Sequence, residues 1–411
     1  MSPPAAKRVP AIQWRLRQPK KRLPLAKALP LLRAAVAAAP HRRDLKLQLA
    51  RTLADAGRAA ELVDWLGAIG DEANVDEVLL YHLGRAALTT GDHRLACRAL
   101  HAAATRGFEG AFGYYAEALS LLERADEALE AGLRGIARSA TDFKSFSAVA
   151  RILLTRGQNE RLWDLCETLC QRGATGGYVP SAMAFAARSP EQQSKVSATV
   201  DAGRWFSAEQ LCLPEHFNAR LSAELLDHQS LAALPAMNAT DGTGRRINEL
   251  DIVGGEFAQR LLAAIRNAVE RYAEQRRPPA IYPESASAPS QVALNSWAIA
   301  VWSDGHETWH IHPSGWLSGV YYAAVPDVGL AADNHRGAIE FGPFPFGEDR
   351  DVPSWRRWRV APRPGLLLLF PSWYAHRTWP TGLREPRICV AFDVIAPRAT
   401  GESDAVQENP P

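Results

Sequence analysis

The 411-residue sequence predicts an α+β multidomain protein, in which an all-α array of helical repeats precedes a jelly-roll of short strands with flanking helices. Three observations predict it. Small and apolar residues recur at a near-constant step through the first half of the chain. From Gln291 to Pro397 the sequence breaks into short apolar runs separated by Gly, Pro and Asp. Hydrophobic residues at 47% and charged residues at 22% belong to a globular chain, and its length favours more than one core.

A net charge of +2 argues against nucleic acid or an anionic membrane as partner of the whole chain. No run of eighteen apolar residues predicts a membrane span. The five cysteines, Cys97, Cys166, Cys170, Cys212 and Cys389, are odd in number and irregularly spaced, which suits a reducing, cytoplasmic setting. Cys166 and Cys170 lie one helical turn apart and read as thiols on a helix face. Residues 1 to 33 hold nine Lys or Arg and no acid. The Pro-rich start of that stretch predicts a disordered basic tail over 1–29, and Pro3, Pro4, Pro10 and Pro19 interrupt any amphipathic leader helix. A second disordered tail is expected over 399–411.

The repeats occupy 30–200 in this reading. Gly57, Gly91, Arg124 and Gly157 stand at successive steps of 34, 33 and 33. Eight positions before each is a small or apolar residue (Leu49, Leu83, Ala116, Val149), and another follows within five (Ala60, Ala96, Ala128, Leu162). Helix, tight turn and helix form the unit, with Gly in three turns supplying a left-handed cap. The period resembles tetratricopeptide repeats, which implies a stacked, curved array able to receive a peptide or to act as a scaffold. Near residue 200 the texture changes, with Pro214, Pro235 and the polar turn at 239–248, so the second domain is expected over 201–398. Leu261, Leu262, Ile265, Val269 and Tyr272 fall at helical spacing and predict an amphipathic helix over 257–275 lying on the following sheet.

The strands expected next carry the chemistry. His310 and His312 alternate on one face of an extended segment, His376 comes from a later strand, and Arg387 follows eleven residues on. Neutral imidazoles are common metal ligands, and three of them can cap one side of an octahedral ion while leaving positions open. A guanidinium fork behind them can hold a carboxylate.

The runs W-H-I-H-P-S-G-W-L-S-G-V-Y-Y, G-L-L-L-L-F-P-S-W-Y-A-H and R-I-C-V-A-F-D-V resemble the iron(II)- and 2-oxoglutarate-dependent oxygenases, in the subgroup preceded by tetratricopeptide-like repeats. That resemblance implies a double-stranded β-helix with Fe(II) and 2-oxoglutarate bound at its mouth. It also implies use of O2, His310 and His376 as metal ligands, and Arg387 on the far carboxylate of the co-substrate. The general pattern has an acid two residues after the first histidine, and His312 stands there. A three-histidine site, water in the third position, or a carboxylate such as Glu340 or Asp304 all follow, with strand parity favouring His312. Tyr321, Ser318 and Asn295 are further candidates for the co-substrate carboxylates, and Trp309, Trp316 and Trp373 for the substrate pocket wall. The activity so implied is hydroxylation of a protein or peptide side chain, with 2-oxoglutarate decarboxylated to succinate. The alternatives are a cupin-like three-histidine dioxygenase without 2-oxoglutarate and a non-catalytic adaptor. No motif sets an oligomeric state.

Overall fold

The computed structural model describes residues 12–17, 25–68, 76–173, 177–233, 240–276, 291–313, 315–327 and 335–395. The chain divides into two compact units, Lys20–Leu162 on one side and Met1–Pro19 with Trp163–Pro411 on the other. Among the described residues no helix is long and apolar enough to cross a membrane.

The first unit is built of helical repeats. Its helices are α1 (Leu25–Ala38), α2 (Arg43–Asp55), α3 (Ala59–Ala68), α4 (Glu77–Thr90), α5 (His93–Thr105), α6 (Ala111–Leu121), α7 (Ala125–Arg138) and α8 (Phe143–Thr155), and α9 (Asn159–Gln171) runs across the division. Asp76, Asp92 and Asp142 cap α4, α5 and α8 by accepting from the backbone N–H groups of Val78, Leu95 and Ser145. The turns after α2, α4 and α8 hold Gly57, Gly91 and Gly157 at φ 67°, 81° and 66°. The third turn puts Glu123, the neighbour of Arg124, in that left-handed region at φ 60°, so the 33- to 34-residue step survives the loss of its glycine. Small residues let these helices approach closely. A Cβ on Gly84 would stand 2.4 Å from Cγ of Leu100.

The second unit carries two sheets. Its helices are α10 (Val179–Ala186), α11 (Pro190–Thr199), α12 (Ala202–Trp205), α13 (Phe217–Leu226), α14 (Leu250–Val253) and α15 (Glu256–Gln275). Its strands are β1 (Gln13–Trp14), β2 (Ser207–Gln210), β3 (Ala232–Ala233), β4 (Thr240–Ile247), β5 (Gln291–Glu307), β6 (Leu317–Ala324), β7 (Ile339–Gly342), β8 (Trp358–Val360), β9 (Leu366–Pro371), β10 (Ala375–Thr378) and β11 (Arg387–Ile395). The larger sheet has the order β2-β9-β6-β11-β5-β4-β3, with β1 added to β5, and the smaller has the order β10-β7-β8. Phe341 of the small sheet meets Phe370 of the large one at 4.9 Å between ring centres, so the two face each other as a β-sandwich.

Alternation assigns the two faces of the large sheet. Leu294, Ala298, Leu317, Tyr321, Leu367, Val390 and Phe392 form one buried core with Leu261, Leu262, Ile265 and Val269 of α15, as the helical spacing predicts. The opposite face looks toward the small sheet. Gly319 keeps the core tight, because a Cβ there would stand 2.3 Å from Cζ of Phe392.

Two features of the structure bear on the bounds expected from composition. Residues 12–17, read as part of a disordered tail, pair in parallel with β5, Gln13 opposite Gln291 and Trp14 opposite Val292. Trp14 donates its indole N–H to Glu270 at 2.7 Å, and Arg17 reaches Glu249, Asp251 and Asn295. Residues 1–11, 18–24 and 399–411 of the expected tails lie outside the described residues, and residues 25–29 of the first open α1. The division at 162/163 also precedes the boundary expected near 200. The reason is that α10 and α11 pack on the β-unit: Ser181 Oγ accepts from Phe344 N–H, Ser197 donates to the Ser354 carbonyl, and Tyr374 donates to the Val200 carbonyl.

Candidate metal centre

The segment that follows β5 leaves the large sheet and joins the small one. His310 exchanges both backbone hydrogen bonds with His376 of β10 at 3.0 Å, and the His312 N–H donates to the Ser372 carbonyl at 3.0 Å. That bridging lays His310 and His312 against His376 at the mouth of the sandwich. Ring centres lie 4.2 Å apart for His310 and His376, 5.1 Å for His310 and His312, and 5.1 Å for His312 and His376, the last pair stacked at 5°. One nitrogen of each lies within 4.8 Å of the others, a group able to hold a metal ion.

Hydrogen bonding selects which nitrogen is free. His310 Nδ1 is 2.7 Å from the Thr308 carbonyl and His376 Nδ1 is 3.0 Å from the Tyr374 carbonyl. A carbonyl only accepts, so each Nδ1 carries the proton and each Nε2 keeps its lone pair. His312 Nδ1 donates instead to the Asp393 carboxylate, 3.0 and 3.1 Å from its two oxygens. Ser318 donates to the same carboxylate at 2.6 Å, which leaves Ser372 to donate to Ser318 at 2.8 Å. Burial drives the His376 pKa well below the ordinary value, with the two neighbouring rings adding to it, and burial likewise lowers His310. Burial also pulls on His312, but the charge and hydrogen bond of Asp393 outweigh it and raise that pKa. Two rings are therefore held neutral, as a metal ligand must be, and the third leans on a buried anion.

The rest of the cavity suits a dicarboxylate. It is lined by the three histidines together with Arg387, Tyr322, Thr378, Cys389, Ser318, Trp297 and Glu307. Arg387 is 2% exposed; Nη1 donates to the Gly337 and Trp379 carbonyls and Nη2 to Thr378 Oγ1 at 3.0 Å. Thr378 is two residues beyond His376 on the same face of β10, so the guanidinium sits about 7 Å of strand rise from that histidine, a short diacid's length. Two buried polar atoms in this wall, Arg387 Nε and Tyr322 Oη, have no hydrogen-bond partner. Burial pushes the Tyr322 phenol up, which keeps it a donor, and the Cys389 thiol is pushed up to about 12 by burial and stays neutral. An imidazole trio beside unsatisfied donors fits a first-row divalent ion with an anionic co-ligand.

The sequence-predicted residues divide. His310, His312, His376, Arg387 and Ser318 line one cavity. Tyr321 does not, because it faces the α15 core and donates to Asn218 at 2.5 Å, whereas Tyr322 faces the histidines. Asn295 accepts from Arg17 at 2.8 Å and is not in the lining. Trp309 is sandwiched by Arg357 and Arg377, Trp316 packs toward Tyr272 of α15, and Trp373 packs on Trp355 and Tyr374; the indole in the lining is Trp297. Glu340 is clasped by Arg359 at 2.7 Å and Arg377 at 2.6 Å on the other face of β7, and Asp304 is exposed. Sequence parity held the missing signal, since Ser318, Val320 and Tyr322 alternate together and Tyr321 cannot share a face with Ser318.

One family model agrees with this geometry. Residues 295–393 match the family model described as "Putative 2OG-Fe(II) oxygenase". No curated protein sequence matches the chain. A Pseudomonas putida prolyl-4-hydroxylase superposes with TM-score 0.34 at 14% identity, over 49% of this chain and 99% of that one. A Trichoplax adhaerens prolyl hydroxylase, solved with a hypoxia inducible factor oxygen degradation domain peptide fragment, gives 0.34 at 12%, over 50% and 91%. YrrB, a TPR protein with an unusual peptide-binding site, gives 0.33 at 14%, over 41% and 91%. Residues 295–393 are thus similar to the 2OG-Fe(II) oxygenase family, a likeness that implies Fe(II), 2-oxoglutarate and O2.

Proposed function

We propose that the chain is an Fe(II)- and 2-oxoglutarate-dependent hydroxylase of a protein or peptide side chain, releasing succinate, in a cytoplasmic setting. The observation that carries this is the convergence of three imidazoles, each with Nδ1 tied, in one cavity with the buried Arg387 and Tyr322 donors. In this reading His310, His312 and His376 hold Fe(II) through Nε2, and Asp393 fixes the tautomer and tilt of His312. Arg387 Nε and Tyr322 Oη hold the far carboxylate of 2-oxoglutarate, and Thr378 fixes the guanidinium plane. When bound, the metal supplies adjacent positions for the 2-oxo acid and O2. The β-sandwich walls exclude bulk water, and the helical repeats are the part suited to recruiting a protein partner.

The test is anaerobic titration of 2-oxoglutarate into the Fe(II) protein, watched by visible absorption. A charge-transfer band is expected in the wild type. Arg387→Ala is expected to weaken 2-oxoglutarate binding about tenfold to a hundredfold, the worth of one or two bonds to a charge, and to suppress aerobic succinate release in proportion. A set of donors without a carboxylate also favours a second reading, a three-histidine dioxygenase that uses no 2-oxo acid. Metal binding with no 2-oxoglutarate affinity would select that second reading.

A further inference from the structure

A second arginine lies beside this cavity, outside its lining but against the lining residue Trp297, and nothing in the oxygenase reading uses it. Arg246 lies on β4 opposite Ile299 of β5, whose side chain is in the cavity wall. Its guanidinium carbon is 4.6 Å from the ring centre of Trp297. Trp297 stacks on His312 at 5.6 Å and 14°, and His312 stacks on His376. Arg246, Trp297, His312 and His376 are therefore in successive contact, cation on ring and then ring on ring.

Among the described residues Arg246 has no direct ion pair. Its Nε is buried without a hydrogen-bond partner, and among the described residues no carboxylate lies within the 4.0 Å of an ion pair. Asp393 acts on it electrostatically but is committed to His312 and Ser318, and Glu307 acts on it from the cavity wall beyond ion-pair reach. Burial lowers its pKa, as expected of a cation taken from water without an anion. A half-buried guanidinium whose Nε lacks a partner is costly to desolvate, and an anion bound to it offsets that cost. Arg387 differs, with both Nη groups already tied to carbonyls and Thr378. The two cations sit on different strands, and one co-substrate carboxylate is met by the donors at Arg387.

We propose that Arg246 anchors a carboxylate of the substrate that is oxidised at this centre, so that the preferred substrate is an acidic peptide. This rests on the oxygenase reading above. A guanidinium fork stacked on an indole is a rigid receptor for the two oxygens of a carboxylate. An Asp or Glu side chain and a peptide C-terminus present the same group.

The test uses the full chain with Fe(II) and 2-oxoglutarate, and succinate release from one peptide scaffold carrying Glu, Gln or Lys at a scanned position, each with a free or amidated C-terminus. The Glu peptide is expected to show a KM at least about tenfold below its Gln counterpart, the scale of one charge-assisted pair. A preference that follows the free C-terminus instead assigns the anchor to the chain end. Arg246→Ala is expected to erase the preference and Arg246→Glu to turn it toward the Lys peptide, an inversion that a merely structural stacking role would not produce. Equal treatment of all peptides by the wild type, turnover of none included, overturns the proposal. So does loss of the anaerobic 2-oxoglutarate band in Arg246→Ala, which would assign the residue to the co-substrate. Absence of that band in the wild type sinks the oxygenase reading and this anchor with it, whereas its presence without charge preference removes the anchor alone.

Discussion

Tyr321 and Tyr322 are adjacent, and the pleat of β6 sends one into the α15 core and the other toward the histidines. Their truncation to Phe should therefore separate two kinds of loss. Tyr322→Phe is expected to weaken 2-oxoglutarate about tenfold by calorimetry while leaving the thermal midpoint unchanged or slightly higher, because it removes an unsatisfied buried hydroxyl. Tyr321→Phe is expected to leave 2-oxoglutarate binding intact and to cost about 1 kcal/mol of stability, the bond to Asn218 being lost. The histidines and Arg387 were legible from the sequence because their spacing along the chain reflects the chemistry directly. The pocket tyrosine and the pocket tryptophan were not, since each depends on which way a strand starts its alternation. Arg246 was hidden further, in a polar stretch whose partner strand begins more than forty residues later.

At the scale of single elements, the helices of the repeat unit were read closely because their turns are local. The positions Gly57, Gly91 and Gly157 adopt the left-handed backbone, and Glu123 adopts it where Arg124 was expected to mark the turn. One helix also hides a titratable group that the periodicity treats as core. His82 on α4 is 4% exposed, and its Nδ1 has no hydrogen-bond partner. Burial, with Arg85 and Arg51 adding to it, holds its pKa down at about 4 against an ordinary 6.5. The unfolded chain then binds the proton first, so folding stability is unaffected above about pH 6.5 and falls as the pH drops toward 4. The loss is at most roughly 3 kcal/mol at 1.36 kcal/mol per pKa unit. Urea unfolding followed by circular dichroism at pH 7 and at pH 4.5 should show this, and His82→Leu should flatten the difference. Strands were harder to read, because pairing is non-local. The register shift between Ile388 and Cys389 on β11 and the departure of 308–313 from the large sheet have no marker in any single run of residues.

For the whole molecule, composition assigned α10 and α11 to the repeat array, yet Ser181 and Phe185 of α10 and Ser197 of α11 meet Phe344, Phe346 and Ser354 of the 343–355 loop. Helical texture reports local structure, and domain membership is decided by contacts the sequence does not order. The same holds for the opening residues, where Trp14 and Arg17 outweigh a basic, Pro-rich setting by finding Glu270, Glu249 and Asp251. β1 closes on a strand that the ribosome reaches only after the entire array has been made. A gene cut to begin at Trp163 would encode a sandwich missing one of its own pieces, with a carboxylate pair left facing each other across an empty seat. That shortened polypeptide should melt earlier than the parent, and a synthetic hexapeptide of sequence IQWRLR should raise its midpoint in a saturable, dose-dependent manner, as complementation in trans requires.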